Sequence, residues 1–162
     1  MFIYSVRAST VRFLACIIIC VAVFVLLLTL GSAETVYASA GGREINYGGM
    51  KTNEDRVAFI EGFGIRVKSE PVREETFTMP DDFDRVIEGY NQIQKAQGLD
   101  LGKYTRKRVT HYAYEVTNYD TDAAVYVNLI VYRNRIIAAD ISSADGGGFV
   151  SSLVDFDTSR LK

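Results

Sequence analysis

Acid–base and nucleophilic chemistry in this chain would rest on one histidine and on carboxylate and tyrosine side chains. His111 is the single histidine in the sequence, and Glu115 and Asp140 are the carboxylates considered beside it. A catalytic or metal-bound histidine needs an orienting partner and a nucleophile or further ligands. Both cysteines, Cys16 and Cys20, lie in an apolar run near the amino terminus, so no thiolate is present in the rest of the chain. The sequence therefore predicts no catalytic residue, no metal site and no cofactor.

Two acidic clusters and one glycine run carry only part of the pattern of a ligand site. Asp81, Asp82 and Asp84 lack the trailing glycine and glutamate of a calcium loop, and we interpret them as the first turn of a helix, where the helix dipole favours acids. Residues 120–122 suit a polar hairpin loop. Residues 145–148 lack the lysine and hydroxyl residue of a phosphate loop, which favours a flexible turn.

Four cations within six residues form the best candidate for contact with an anion. They are Lys103, Arg106, Lys107 and Arg108. Phospholipid headgroups or anionic wall polymers are the ligands that such a patch attracts. The alternative is a solvated strand start whose charges discourage edge pairing.

Four tyrosines in two predicted strands form a second candidate surface. They are Tyr112, Tyr114, Tyr126 and Tyr132. We expect them to form an aromatic ladder on the sheet face away from the helix, where they would resemble a peptide- or glycan-binding surface. The alternative is cross-strand packing under the first helix.

Residues 13–30 form a run in which Thr29 is the only residue that is not apolar. Such a run predicts a membrane-spanning helix or an export signal. As a helix its 18 residues span about 27 Å, close to the thickness of a bilayer core. Arg7 and Arg12 precede the run, so the amino terminus is predicted to be cytoplasmic and the remainder outside. The localisation is then a single-pass cell-membrane protein, or a secreted one if the small residues up to Ala40 are a cleavage site.

Composition separates this run from an ordinary soluble domain. The chain has 162 residues, 48% of them apolar, with 18 Lys and Arg against 20 Asp and Glu. That balance excludes a basic nucleic-acid binder. We predict a signal anchor or signal peptide over residues 1–33, a flexible tether over 34–52, where paired glycines occur without an apolar period, and an extracytoplasmic domain over 53–162.

Two amphipathic helices are predicted in the outer domain. The first covers residues 54–61, with Thr52 or Asn53 as its cap. The second begins at Pro80, carries an apolar stripe from Phe83 to Ile93, and ends at Gly98.

Strand patterns dominate the last third of the chain. Residues 108–117, 123–132 and 135–143 predict a three-stranded antiparallel meander. A further strand is predicted over 65–72, and a second, weaker one over 74–78. The valine and leucine side chains of residues 125–131 are expected to pack on the stripe of the second helix. The fold class is thus α+β: a single small domain with an antiparallel sheet, comprising the C-terminal meander plus one or two N-terminal strands, packed by two helices.

Several motifs in this order resemble a family of uncharacterised, membrane-tethered extracytoplasmic domains of clostridia-type Gram-positive bacteria. They include Met79-Pro80-Asp81-Asp82-Phe83, Tyr90-Asn91-Gln92-Ile93-Gln94-Lys95 and Tyr112-Ala113-Tyr114-Glu115, with further matches over residues 52–64, 97–101 and 128–132. The resemblance implies a location in the cell envelope and no particular activity.

These observations favour a non-catalytic binding or accessory module of the cell envelope. Its expected partners are the membrane, through residues 13–30, and an envelope protein or anionic polymer. Two alternatives remain. One is a small envelope enzyme or enzyme inhibitor that uses carboxylate and tyrosine chemistry, and the other is a structural or assembly subunit. A cleft that gathers Asp140, Glu115 and His111 would favour the enzyme.

Overall fold

The fold is known from a computed structural model that describes residues 37–40, 43–145 and 148–162. The predicted anchor, with Cys16 and Cys20, lies outside the described residues. Within the described ranges, no helix is both long enough and apolar enough to span a bilayer.

Five antiparallel strands follow one another in chain order across a single sheet. They are β3 (Arg73–Thr78), β4 (Arg108–Glu115), β5 (Val125–Tyr132), β6 (Arg135–Ser143) and β7 (Val150–Ser152), and a separate hairpin precedes them, formed by β1 (Tyr37–Ala40) and β2 (Arg43–Asn46). The predicted meander over β4, β5 and β6 is confirmed. Arg133 and Asn134 make the predicted tight turn between β5 and β6, with Arg133 at a φ of 56°. The sequence did not predict β7.

Two helices and two short 3₁₀ turns complete the domain. Helix α1 (Asn53–Glu61) is capped as expected by Thr52, whose hydroxyl accepts from the Asp55 amide while the Asp55 carboxylate accepts from the Thr52 amide. Helix α2 (Arg85–Ala96) is followed by a 3₁₀ turn at Leu101–Tyr104, and a second turn covers Thr158–Arg160. The α+β class, with a small antiparallel sheet and two helices, is confirmed.

Helix α2 begins later than the prediction at Pro80. Its cap is Asp84, whose carboxylate accepts hydrogen bonds from the amides of Val86 and Ile87. Asp81 and Asp82 lie in the preceding loop, and both are exposed. The prediction of the start was wrong because proline suits several loop positions, whereas the carboxylate that bonds the free amides determines where the helix begins.

The two faces of the sheet bury different sets of side chains. Val127 and Leu129 of β5 share one face with Tyr114 of β4, and this core face packs in one apolar cluster with Ile60 of α1 and Ile65. The other face, which we call the groove face, carries alternate residues of the same strands. It holds a smaller cluster formed by Met79, Leu101, Val109, Ile130, Ile137 and Ala138.

The stripe of α2 packs against the groove face, not against the valine and leucine face as predicted. Phe83 and Tyr90 contact the cluster around Ile130. Further along the helix, the Gln94 side chain accepts a hydrogen bond from the Ala139 amide, and the Gln97 side chain donates to the Ala139 carbonyl. These buried glutamines bond the outer edge of β6 beyond the end of β7. Their hydrogen bonds hold α2 over that edge. Periodicity gives the apolar side of a helix but not which sheet face receives it.

Two other boundary predictions differ from the structure. The segment predicted as a tether is packed from Ile45 onward: Ile45 and Tyr47 are buried, and the Tyr47 hydroxyl donates to the Gln97 carbonyl. Residues 65–72 keep the predicted alternation but form no strand. They make one bridge, between Val67 and Val116. The amides of Lys68 and Val72, four residues apart, bond the carbonyls of Glu115 and Ala113, only two residues apart, so no regular strand pairing forms.

Candidate binding groove

The four predicted tyrosines do not form one ladder, because the register places them on opposite faces. Tyr112 and Tyr114 oppose Leu129 and Val127 and therefore belong to the core face, whereas Tyr126 opposes Glu115 on the groove face. Tyr132 also lies on the groove face, where it contacts Tyr104. The predicted strand ends at residues 117 and 123 would place Tyr114 opposite Tyr126, whereas Tyr114 lies opposite Val127. A shift of one residue in the register moves side chains to the other face.

Tyr112 and Tyr114 hold a buried arginine under α1. The Arg56 guanidinium lies 3.8 Å from the centre of the Tyr112 ring, and its Nε donates to the Tyr114 hydroxyl at 2.8 Å. That hydroxyl donates in turn to the Asn53 side chain at 2.9 Å. This pair of tyrosines therefore stabilises the interface between α1 and the sheet, as the alternative of packing under the first helix proposed.

An apolar pocket of about 430 Å³ opens on the groove face. Its walls come from α2, β3, β5 and β7, and its lining residues are Phe77, Val86, Ile87, Tyr90, His111, Asn128, Ile130, Asp140 and Val150. A second pocket of about 420 Å³ shares His111 and Asn128 with the first and continues past Val72, Arg73, Ala113, Tyr126 and Ala144. We call the two pockets together the groove.

A chain of hydrogen-bonded polar side chains forms the floor of the groove. The Tyr90 hydroxyl donates to Asp140 Oδ1 at 2.6 Å, and Asn128 Nδ2 donates to Asp140 Oδ2 at 2.8 Å and to Ser142 Oγ at 3.0 Å. His111 Nε2 lies 3.0 Å from Asn128 Oδ1. Since an amide oxygen only accepts, Nε2 carries the proton in this arrangement.

Burial shifts the acidity of two groups in this chain of hydrogen bonds. Desolvation raises the pKa of the Asp140 carboxyl, although the hydrogen bonds from Tyr90 and Asn128 and the charge of His111 act to lower it. Desolvation, followed by the nearby Asp140 carboxylate, raises the pKa of Tyr90 well above its ordinary value. The Asp140 side chain is 3% exposed, and both of its oxygens already accept hydrogen bonds.

The arrangement gathers only part of the proposed catalytic set. His111 and Asp140 lie on one face and are joined through Asn128, but Glu115 forms an ion pair with Lys68 at 2.6 Å. Because both Asp140 oxygens are occupied and the side chain is buried, its carboxylate is placed to orient Asn128 and Tyr90. This geometry favours a rigid binding floor over acid–base chemistry at Asp140.

The groove concentrates the exposed apolar surface of the domain. Three large apolar side chains in the described ranges are exposed: Val86 at 79%, Val150 at 54% and Val72 at 50%. All three line the groove. Helical periodicity predicted that Val86 belongs to the buried stripe of α2. No sequence pattern singled out Val150 or Asn128, because strand alternation does not reveal which positions are left uncovered.

The four predicted cations lie at one end of the sheet, where β3 ends and β4 begins. Lys103, Arg106, Lys107 and Arg108 are all exposed. Arg133, also exposed, lies at the same end, in the turn after β5, and its guanidinium is 5.2 Å from the centre of the Tyr132 ring. These five cations, together with Tyr104 and Tyr132, are called the basic end.

In the part of the chain that the structure describes, acidic side chains do not converge on a metal site. The described residues contain no group of three or more His, Cys, Asp or Glu side chains placed to hold a metal ion. Asp81 pairs with Arg106 at 3.3 Å, Asp84 caps α2, and Asp120 pairs with Lys162 at 2.6 Å.

One family matches the part of the chain that forms most of the groove. The family, described as Domain of unknown function (DUF4830), matches residues 59–141, which is 83 of the 162 residues. That range contains Val72, Val86 and the polar floor up to Asp140, and it ends before Val150. No curated protein and no solved structure matches the chain.

Proposed function

This chain belongs to the DUF4830 family of domains of unknown function, and we propose that it is a non-catalytic binding module. Its groove takes an extended segment of another protein that presents apolar side chains. The observation that carries this proposal is the position of Val72, Val86 and Val150. Exposed apolar side chains gathered in one concave surface are characteristic of interaction sites, whereas singly scattered ones are not.

The shape of the groove favours a segment of a macromolecule over a small ligand. Sites for small molecules enclose most of the ligand surface, but this groove is open and continues across the sheet through two pockets that share His111 and Asn128. An extended peptide presents alternate side chains to one surface. Successive apolar side chains would then contact Val86 and Val150 in one pocket and Val72 in the other.

The polar floor supplies orientation. His111 and Asn128 lie where the two pockets join, so their side chains are placed to bond a peptide amide or carbonyl that crosses there. The hydrogen bonds from Asn128 and Tyr90 to Asp140 fix the floor before a ligand arrives. A prearranged floor reduces the entropy lost on binding.

The location of this module in the cell envelope is a further part of the proposal. The support is the apolar run over residues 13–30, with Arg7 and Arg12 before it, which favours a single-pass anchor with the domain outside. The partner would then be an envelope protein. Ala40 stays the predicted end of the signal if the chain is processed instead.

Peptide selection against the full chain in detergent micelles tests the groove. Peptides of roughly 12 residues, long enough to extend across both pockets, are selected from a random library, and their affinities are then measured by fluorescence anisotropy. We expect apolar, alternating peptides. Val86→Asp and Val150→Asp should each weaken their binding by about tenfold, or about 1.4 kcal/mol, because a carboxylate would be buried without a partner.

Ala58→Asp provides the matched control. Ala58 is exposed on α1, on the core-face side of the sheet, so the same new charge lies away from the groove. Its variant should bind the selected peptides with unchanged affinity. Equal losses in all three variants, or binding unaffected by either groove substitution, would refute the proposed site.

A further inference from the structure

We propose that the basic end binds the surface of an anionic phospholipid bilayer, so that the outer domain rests on the membrane. This inference rests on the anchor in the proposed function and concerns a surface separate from the groove. The chemistry recognised is the phosphodiester headgroup of anionic lipids.

The basic end carries an unbalanced positive charge. Its five exposed cations meet one carboxylate within ion-pair distance among the described residues, the Asp81 partner of Arg106. Counting also Asp82, which follows Asp81 in the chain, and Asp100, which interacts electrostatically with Lys103, five positive charges against three negative ones leave an excess of two. Such a cluster raises its affinity for an anionic surface with each cation, by about fivefold per residue.

The cations of the basic end lie around two aromatic rings. The rings of Tyr104 and Tyr132 lie 5.6 Å apart, both are half-buried, and Arg133 lies over the Tyr132 ring. Tyrosine is favoured at the membrane–water interface, where its ring faces the acyl chains and its hydroxyl faces water. A free polyanion in water has no acyl chains for the rings to face. The combination of cations and tyrosine rings therefore favours a bilayer.

A short connection joins the predicted anchor to the domain. Residues 31–36, which are six residues, separate the apolar run from β1, and even a fully extended chain of that length spans at most about 20 Å. With the apolar run in the bilayer, this connection would keep the domain close to the membrane, and contacts that are weak individually would become populated at the resulting high local concentration.

The opposite end of the sheet offers two lysines as internal controls. Lys68 pairs with Glu115 at the end of β4, and Lys162 pairs with Asp120 in the loop that follows β4. Both are more than half exposed. They should therefore stay reactive when Lys103 and Lys107 contact headgroups.

Lysine labelling of the full chain in nanodiscs tests the proposal. One set of discs contains phosphatidylcholine alone, and the other contains roughly 30% phosphatidylglycerol. We expect acetylation of Lys103 and Lys107, followed by mass spectrometry, to slow about fivefold in the anionic discs relative to Lys68 and Lys162. The protection should disappear in about 0.5 M sodium chloride, because salt screens exposed charges.

A double variant, Arg108→Gln with Arg133→Gln, removes two cations and leaves both reporter lysines in place. It should lose most of the protection in anionic discs, while intact circular dichroism shows that it folds. Two results would overturn this inference without contradicting the anchor. In one, the protein enters the discs but Lys103 and Lys107 are not protected; in the other, they are protected equally in neutral and anionic discs. Failure to enter discs of either composition would contradict the anchor and this inference together. A wall polymer would be the ligand instead if anionic discs gave no protection of Lys103 and Lys107, while soluble polyglycerol phosphate added to neutral discs did protect them.

Discussion

Single side chains decide whether the groove floor is a binding surface or a reactive one. Asp140 is the clearest example: it is buried, it accepts hydrogen bonds from Tyr90 and Asn128, and burial raises its pKa. A carboxylate held in this way costs free energy in its ionised form, and its hydrogen bonds offset only part of that cost. The residue therefore maintains the shape of the floor at the expense of stability near neutral pH.

The pH dependence of unfolding should reveal this cost. The folded-state pKa of Asp140 exceeds the unfolded value of about 3.9. Above that pH the folded protein therefore binds more protons at this site than the unfolded protein does. Ionisation of Asp140 therefore lowers the free energy of unfolding as the pH rises from the unfolded pKa to the folded pKa. An Asp140→Asn variant should gain stability relative to the wild type as the pH rises above about 3.9, as measured by urea unfolding.

Asp157→Asn provides a control of opposite sign. Hydrogen bonds from the Ser159 side chain and backbone lower the pKa of Asp157, so its contribution is present above the unfolded pKa and is lost as the pH falls. That variant should lose stability relative to the wild type as the pH rises. A difference between Asp140→Asn and wild type that stays constant with pH would contradict the account of Asp140.

At the scale of elements, the position of α2 determines which face of the sheet becomes the groove. The helix begins at the Asp84 cap, contributes Val86, Ile87 and Tyr90 to the groove, and ends over the edge of β6, where Gln94 and Gln97 bond Ala139. A helix that began at Pro80 would have placed Asp81 and Asp82 in its first turn. The cap therefore sets where the groove wall starts.

Replacing the acids before α2 one at a time tests this boundary. Asp84→Ala should lower the free energy of unfolding by about 0.5–2 kcal/mol, because two helix amides lose their acceptor. Asp82→Ala should change it by less than about 0.5 kcal/mol, since that side chain is exposed in the preceding loop. Thermal or urea unfolding of both variants gives the comparison. Equal losses would indicate a helix that begins earlier than Asp84.

Sequence patterns predicted the elements of this fold better than their contacts. The strict alternation of residues 125–132 and the turn at Arg133 and Asn134 identified the meander, because strand period and turn chemistry are local properties. The choice of face for α2 and the register of the tyrosines depend on packing between distant segments. The burial of Ile45 and Tyr47 also depends on packing against distant segments. The sequence did not predict it, because the glycines around these residues resemble those of a tether.

The candidate site was predicted only in part. The sequence pointed to His111 and Asp140 as chemical groups and to Tyr126 and Tyr132 as surface groups. Nothing in it indicated that Asn128 connects His111 to Asp140. A polar residue in the middle of an alternating strand is a weak signal, because a solvated position produces the same pattern. The uncovered valines gave no signal, since apolar residues in amphipathic elements are usually buried.

At the scale of the whole molecule, the domain presents two distinct surfaces. The groove runs across one sheet face and is rimmed by apolar side chains, whereas the basic end gathers exposed cations where β4 begins. The first suits a segment of a partner protein and the second suits an anionic membrane surface. If both proposals hold, the module would keep a partner near the bilayer without chemical change to it.

The most direct test of the groove is site-specific photo-crosslinking in cells that express the full chain. A photoreactive amino acid is placed at Val86 or Val150 in the groove, or at Ala58 on α1 as the control. The account predicts an adduct with one partner protein from both groove positions, with crosslinked peptides that come from a single apolar segment, and no such adduct from Ala58. Adducts from Ala58 alone, or none from either groove position, would contradict it.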